Sequence, residues 1–264
     1  MTVFGKNILI LAPHPDDEIV AACGAIGRAT SEGAKISVLF LTHGCIAKET
    51  LWTWQRKNYE DRIKQRRIEA EKAAFFSNLE IIGFSDRPAR HLWKQLDLVY
   101  KEIDGALEKY KPDQLWIPAY EGGNADHDGL NGLCQHFRDR VKILEFAEYN
   151  FSDGKKQSQT FPDEDGTETT LYLTPKEQAQ KRTALALYAS EKNNLGYVDT
   201  LQESYRLLAS CDYSKPPHEG KLWYARFQWV PFRHPRVDFT DPLAVCEALS
   251  LFEKTNALPE LAKQ

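Results

Sequence analysis

The chain has no C-x-x-C pair among its 264 residues. Its five cysteines (Cys23, Cys45, Cys134, Cys211 and Cys246) are odd in number and scattered. That usage argues against a disulfide framework or a structural zinc ribbon and favours a reducing compartment. No apolar run reaches membrane-spanning length, and Met1 to Asn7 lacks the charged and apolar regions of a signal peptide. Positive charge is not in excess: 34 Lys and Arg face 38 Asp and Glu, for a net charge of −4 and a pI near 6.0. General electrostatic binding of nucleic acid is therefore not expected. No G-x-G-x-x-G follows the first apolar run, and Gly122-Gly123 is too short for a phosphate loop, so a dinucleotide enzyme is disfavoured. There is no internal repeat and no clean linker. A soluble, cytoplasmic protein with no membrane span and no nucleic-acid partner is expected.

What the chain does contain is enough apolar material for one substantial core, at 42% hydrophobic and 27% charged residues. Five short apolar stretches alternate with helical patterns. Asn7–Leu11, Lys35–Leu41, Leu79–Phe84, Gln114–Pro118 and Val141–Tyr149 predict strands. Helices are predicted over Ile19–Ser31, Tyr59–Ser77, Leu92–Lys109, after the glycine-containing loop Ala119–Asp126 through Asp139, and over Pro175–Glu191. Asp199–Leu208 suggests another helix, and one more starts at Pro242. This order predicts an α/β fold with a mostly parallel sheet and right-handed crossovers. The expectation is a single domain over 1–264, with a core over 1–210 and an aromatic C-terminal extension over 211–264. Asn150–Thr174 is expected to be irregular or a short hairpin. Leu222–Phe232 is expected to be an added strand or a cover over a pocket.

The chemistry gathers where parallel strands end, which is where ligands sit in such sheets. Ala12-Pro13-His14-Pro15-Asp16-Asp17-Glu18 puts one imidazole and three carboxylates on a turn between a strand and a helix. His14 and Asp17 are near enough to bind one divalent ion, for which zinc accepts imidazole nitrogen and carboxylate oxygen. Asn124-Ala125-Asp126-His127-Asp128, after the fourth strand, is the candidate source of a third ligand. Asp16 stands beside a ligand and is placed to take a proton from an activated water. The alternative is that these acids only cap a helix and complement its dipole. A second His-Asp cluster at another strand end weighs against that reading. The lone histidines His91, His136, His218 and His234 read as ordinary packed or surface residues. Trp52, Trp54 and the Trp223–Phe232 segment read equally well as pocket lining or as packing.

With these residues in view, Pro13–Glu18 resembles the (A/P)-H-P-D-D-E signature of the LmbE/PIG-L family of zinc-dependent N-deacetylases. The similarity continues in order through Gly24, Thr42-His43-Gly44, Arg66-x-x-Glu69 with Ala73, Asp86, and Asn124-Ala125-Asp126-His127. It continues at Lys181-x-x-Ala184-x-x-x-Tyr188-x-Ser190, where Tyr188 replaces a family histidine. The resemblance implies a Rossmann-like sheet with His14, Asp17 and His127 as zinc ligands and Asp16 as general base. It implies Arg66 and Asp86 as substrate-binding residues. Another divalent metal such as Fe2+ suits the same ligands. The implied substrate is a small amino sugar or glycoconjugate bearing an N-acetyl group, and a homo-oligomer is compatible with the sequence. One departure falls in the catalytic machinery. Asn124 stands where the family has a histidine, and an asparagine donates a hydrogen bond but no proton at neutral pH. His43 and Tyr120 lie on loops that reach toward the same end. The alternatives that follow are an amidase for a larger acyl or thiol-conjugate amide, or a catalytically weak sugar- or metal-binding homologue.

Overall fold

In the computed structural model, which describes residues 4–164 and 166–261, strand β1 (Asn7–Ala12) is the axis of the fold. Every side chain from Ile8 to Ala12 is buried, as a strand covered on both faces requires. β2 (Lys35–Phe40) lies parallel on one side of it. β4 (Gln114–Pro118) lies parallel on the other, with Ile8, Leu9 and Ile10 opposite Gln114, Leu115 and Trp116. β3 (Glu80–Phe84) continues beyond β2, and β5 (Lys142–Phe146) continues beyond β4, both parallel. Two antiparallel strands, β9 (Gln202–Leu207) and β8 (Thr169–Tyr172), close the seven-stranded sheet in the order β3-β2-β1-β4-β5-β9-β8. β6 (Tyr149–Asn150) and β7 (Gln157–Ser158) form a separate small hairpin. The parallel five-strand core is the fold read from the sequence.

Alternate residues of each inner strand point to opposite faces and build two apolar layers. Ile8, Ile10, Val38, Phe40, Trp116 and Phe146 pack with helix α1 (Asp17–Ser31), α2 (Tyr59–Ser77) and α5 (Pro175–Ala186). Leu9, Leu11, Leu39, Leu115, Ile117 and Ile143 pack with α3 (Leu96–Tyr110), α4 (Ala125–Cys134) and α6 (Pro242–Leu261). Leu222, Tyr224, Val245, Leu249 and Phe252 belong to that second layer, so the extension shares the core of the sheet. Each fully buried Leu or Ile of these layers is stabilised by ~1.5–3 kcal/mol relative to exposure. No helix among the described residues is long and apolar enough to cross a membrane.

Some local expectations are corrected. Asp199–Leu208 is not a helix: its centre is β9, whose residues Glu203 to Arg206 are all buried. The antiparallel partners β5 and β8, together with an ion pair inside the core, override its weak helical pattern. The helix after β4 ends at Cys134 with a short 3-10 turn rather than reaching Asp139. Leu222–Phe232 forms turns and no strand.

Topology decides where the chemistry goes. The strand order reverses at β1, whose neighbours β2 and β4 lead away in opposite directions. The turn after β1 and the loop after β4 therefore meet at a crevice outside the carboxyl ends of the strands.

Candidate metal centre

β1 ends at Ala12 and α1 begins at Asp17. The four-residue connection reverses sharply, and Asp16 adopts φ 134°, ψ −27°, a conformation that L-residues avoid. Such a residue costs on the order of 1–3 kcal/mol and persists only where its surroundings dictate it. Here they do. The Asp16 N–H donates to Glu18 Oε2 at 3.1 Å. Its carbonyl accepts from Ile19 and Val20 at 3.0 and 2.9 Å. Arg66 donates to the Pro15 carbonyl at 2.5 Å and to the Asp16 carboxylate at 3.4–3.5 Å. The Tyr188 hydroxyl donates to the other Glu18 oxygen. Gly44, at φ +73°, lets the guanidinium approach, because a Cβ there would lie 2.7 Å from Arg66 Nε. Asp16 makes no side-chain capping bond to α1, so a purely capping role does not describe it.

His14 Nδ1, Asp17 Oδ2 and His127 Nε2 form a triangle with all three sides at 3.3 Å. Ligand atoms ~2.0–2.1 Å from a tetrahedral zinc are spaced by about 3.3–3.4 Å. The donor set and its spacing therefore fit a small divalent cation with an open coordination position. The electrostatics agree. Burial alone lowers the pKa of His14, but Asp17 and Asp126 outweigh it and raise it to about 10. Burial likewise pushes Asp17 up, while His127 and His14 bring it far below the usual carboxylate range. This environment favours positive charge. Asp126 Oδ2 lies 3.1 Å from His14 Nε2, and its carboxylate also accepts from the backbone N–H groups of Arg90 (2.5 Å) and Leu92 (2.9 Å).

Asp16 borders the triangle. Burial raises its pKa to about 7, against the opposing charge of Arg66. Asn124 is the N-cap of α4, its Oδ1 accepting from the Asp126 N–H at 2.9 Å. The cap occupies the carbonyl end and leaves the amide N–H2 end facing the Tyr149 side chain. Tyr149 packs over Gly123 and lies 6.0 Å from the His127 ring, centroid to centroid. Tyr197 at 4.5 Å and Trp223 at 5.4 Å extend it into an aromatic wall.

Not every residue singled out from the sequence lies in this cluster. Arg66 is 3% exposed and braces the turn from behind, also pairing with Glu191 at 2.9 Å. Asp86 is outside the cluster, with a side chain 92% exposed and paired with Arg67. His43 accepts from the Cys45 N–H and faces Tyr59, while Tyr120 donates to the Lys215 carbonyl. Neither contacts the triangle. The Lys181–Ser190 motif stitches three helices together: Lys181 pairs with Glu203, Tyr188 bonds Glu18, and Ser190 bonds Glu69. Sequence reasoning missed Tyr149 and Tyr197 beside the site and assigned nothing to Glu148. The available signal was position, since Glu148 and Tyr149 follow a strand parallel to β4 and emerge at the same edge.

Residues 9–137 match the family model described as PIG-L: GlcNAc-PI de-N-acetylase. A Bacillus cereus protein named as a probable N-acetyl-alpha-D-glucosaminyl L-malate deacetylase is 23% identical over 129 residues. That match covers 47% of this chain and 57% of the relative, so the chain spans little more than half of that protein. Among solved structures, a deacetylase of the teicoplanin biosynthesis pathway superposes with a TM-score of 0.62 at 16% identity, covering 76% of this chain and 97% of that one. The 4-carboxy-2-hydroxymuconate hydratase of Pseudomonas putida superposes at 0.52 with 16% identity, covering 78% and 98%. At these identities the structural likeness establishes the fold.

Proposed function

The chain belongs to the PIG-L (LmbE-like) family through residues 9–137, and from that premise we propose that it is a metal-dependent hydrolase removing an acetyl group from an N-acetylated amino sugar or its conjugate. The observation that carries the proposal is the 3.3 Å triangle of His14, Asp17 and His127 beside a buried carboxylate, Asp16. A divalent cation held by those three side chains, zinc or Fe2+, supplies a Lewis acid and an acidified water. The rest is the work of the chain. Asp16 takes the proton lost by water as its oxygen attacks the acetamide carbon. Arg66 holds that carboxylate in place and keeps it from rising further in pKa. The amide N–H2 of Asn124 donates a hydrogen bond to the carbonyl oxygen as negative charge collects there. Because Asn124 has no proton to give, the leaving amine takes its proton back from Asp16, and acetate and a free amino sugar result. Tyr149, Tyr197 and Trp223 flank the sugar. Residues 1–264 act as one domain, core 1–210 with extension 211–264, and the five free cysteines suit a cytoplasmic enzyme.

The test is acetate release from N-acetylglucosamine conjugates by purified protein, with metal content measured alongside. Asp16→Ala should abolish turnover with metal retained, and His14→Ala should lose the metal. A parent protein that holds no divalent metal would refute the site. The second reading, a sugar- or metal-binding homologue without turnover, rests on Asn124. Bound metal with no acetate release across a broad panel would favour it.

A further inference from the structure

Each histidine of the triangle points one ring nitrogen at the shared centre and one away from it. The outward nitrogen of His14 has its carboxylate, Asp126 Oδ2 at 3.1 Å. The outward nitrogen of His127, Nδ1, is buried and no described residue hydrogen-bonds it. Glu148 Oε1 stands 3.8 Å from it. Glu148 is itself fully buried, and neither of its carboxylate oxygens has a hydrogen-bond partner among the described residues. An unsatisfied buried donor site and an unsatisfied buried acceptor thus face one another across slightly more than hydrogen-bond distance.

The main chain under Glu148 is built to hold it there. Glu121 Oε1 accepts from the N–H groups of Glu148 and Tyr149 at 2.8 and 3.0 Å. The loop carrying Glu121 is tied in turn by Asp128 Oδ1, which accepts from Glu121 and Gly122 at 3.3 and 3.0 Å. Asp128 follows His127 directly on α4. The network therefore runs from one side of the imidazole, through the β4 loop and the end of β5, and returns on its other side.

A neutral imidazole carries one N–H, and a nitrogen that ligates a cation must be bare. If His127 Nε2 serves the triangle, its proton sits on Nδ1 and needs an acceptor. We infer that Glu148 is a positioning residue, accepting the hydrogen bond from His127 Nδ1–H and so aiming the Nε2 lone pair at the centre. Asp126 does the same from the opposite side for His14. The inference rests on the metal-site reading above and adds a residue to it.

Zn2+ affinity is measured on the full-length parent, Glu148→Leu and Glu148→Gln by competition with a chromophoric chelator. Far-UV circular dichroism and the thermal midpoint are recorded for the metal-free proteins. Leucine removes the acceptor, and the expected loss of Zn2+ affinity is about 10–100-fold. Glutamine keeps a carbonyl acceptor and should restore most of it. In the zinc-loaded parent, a 15N–1H spectrum of the imidazoles should show His127 protonated on Nδ1. Leucine and parent affinities within about twofold would overturn the inference, as would a glutamine variant falling as far as leucine. If Glu148→Leu fails to fold, the chemical shift of the His127 Nδ1 proton, compared between the zinc-loaded parent and Glu148→Gln, decides: a shift that moves with the change of acceptor supports the inference, and an identical shift in both overturns it. A parent that binds no Zn2+ at all would instead sink the metal reading, and this inference with it.

Discussion

Arg66→Ala separates two roles for one side chain. The family resemblance implies that Arg66 holds substrate, whereas its surroundings in the fold are those of a brace. Its guanidinium reaches the Pro15 carbonyl, the Asp16 carboxylate and Glu191, and the residue is 3% exposed. Removing one partner of a buried ion pair costs ~3–5 kcal/mol. Water reaches part of the Asp16 and Glu191 side chains (11% and 20% exposed), so the lower figure, about 3 kcal/mol, is expected. At ~2–4 °C per kcal/mol for a chain of this size, the thermal midpoint should fall by about 6–12 °C. Urea denaturation of the metal-free protein measures the same loss without interference from ligand binding. Arg66→Lys should fall between, because an ammonium keeps the charge but cannot fork to three acceptors. A second readout is the pH profile. Burial raises the pKa of Asp16 and Arg66 opposes it, so losing Arg66 moves the acid limb of activity to higher pH. A midpoint within about 2 °C of the parent, with a raised KM and an unmoved acid limb, would refute the bracing argument and return Arg66 to the substrate.

Three further outcomes are expected. Between pH 6.5 and about 10 the folded metal-free protein keeps a proton on His14 that the unfolded chain has lost. The stability that proton contributes is complete below pH 6.5 and lost as pH rises through about 10. Zn2+ binding must expel it, so calorimetry at pH 8 in buffers of differing ionisation enthalpy should show about one proton released, and no release would contradict the ligand set. Lys181→Ala leaves the fully buried Glu203 carboxylate without its cation 2.9 Å away, and chemical denaturation should register a loss of ~3–5 kcal/mol. Gly44→Ala puts a Cβ 2.7 Å from Arg66 Nε at φ +73°. It should lower the midpoint and weaken Zn2+ binding together, and an unchanged protein would show that the guanidinium has room to move.

Much of the fold was legible because its signals are local. Asn7–Ala12 and Gln114–Pro118 are short apolar runs bounded by polar or turn residues, and that is what a strand buried on both faces looks like. β9 was not legible. Gln202-Glu203-Ser204-Tyr205-Arg206-Leu207 carries charges inside the core, and its strand state depends on β5 and β8 and on Lys181, all remote in sequence. The Lys181–Ser190 motif was visible as a pattern, but its work of joining α1, α2 and α5 was not.

The candidate site divides the same way. From sequence alone, the PHPDDE turn at the end of β1 is a cluster of donors suited to a cation, and Asn124–Asp128 is a second cluster at another strand end. Residue chemistry and spacing determine that much. That Asp17 and His127, 110 positions apart in the numbering of the chain, come within 3.3 Å is decided by β4 lying against β1. Tertiary packing alone decided that Arg66 is spent behind the turn, that Asp86 stands apart, and that Glu148 faces His127 from just beyond β5. The physical reason is that chemical character belongs to a residue, whereas burial and partners belong to the neighbours that a sheet assembles from distant parts of the chain.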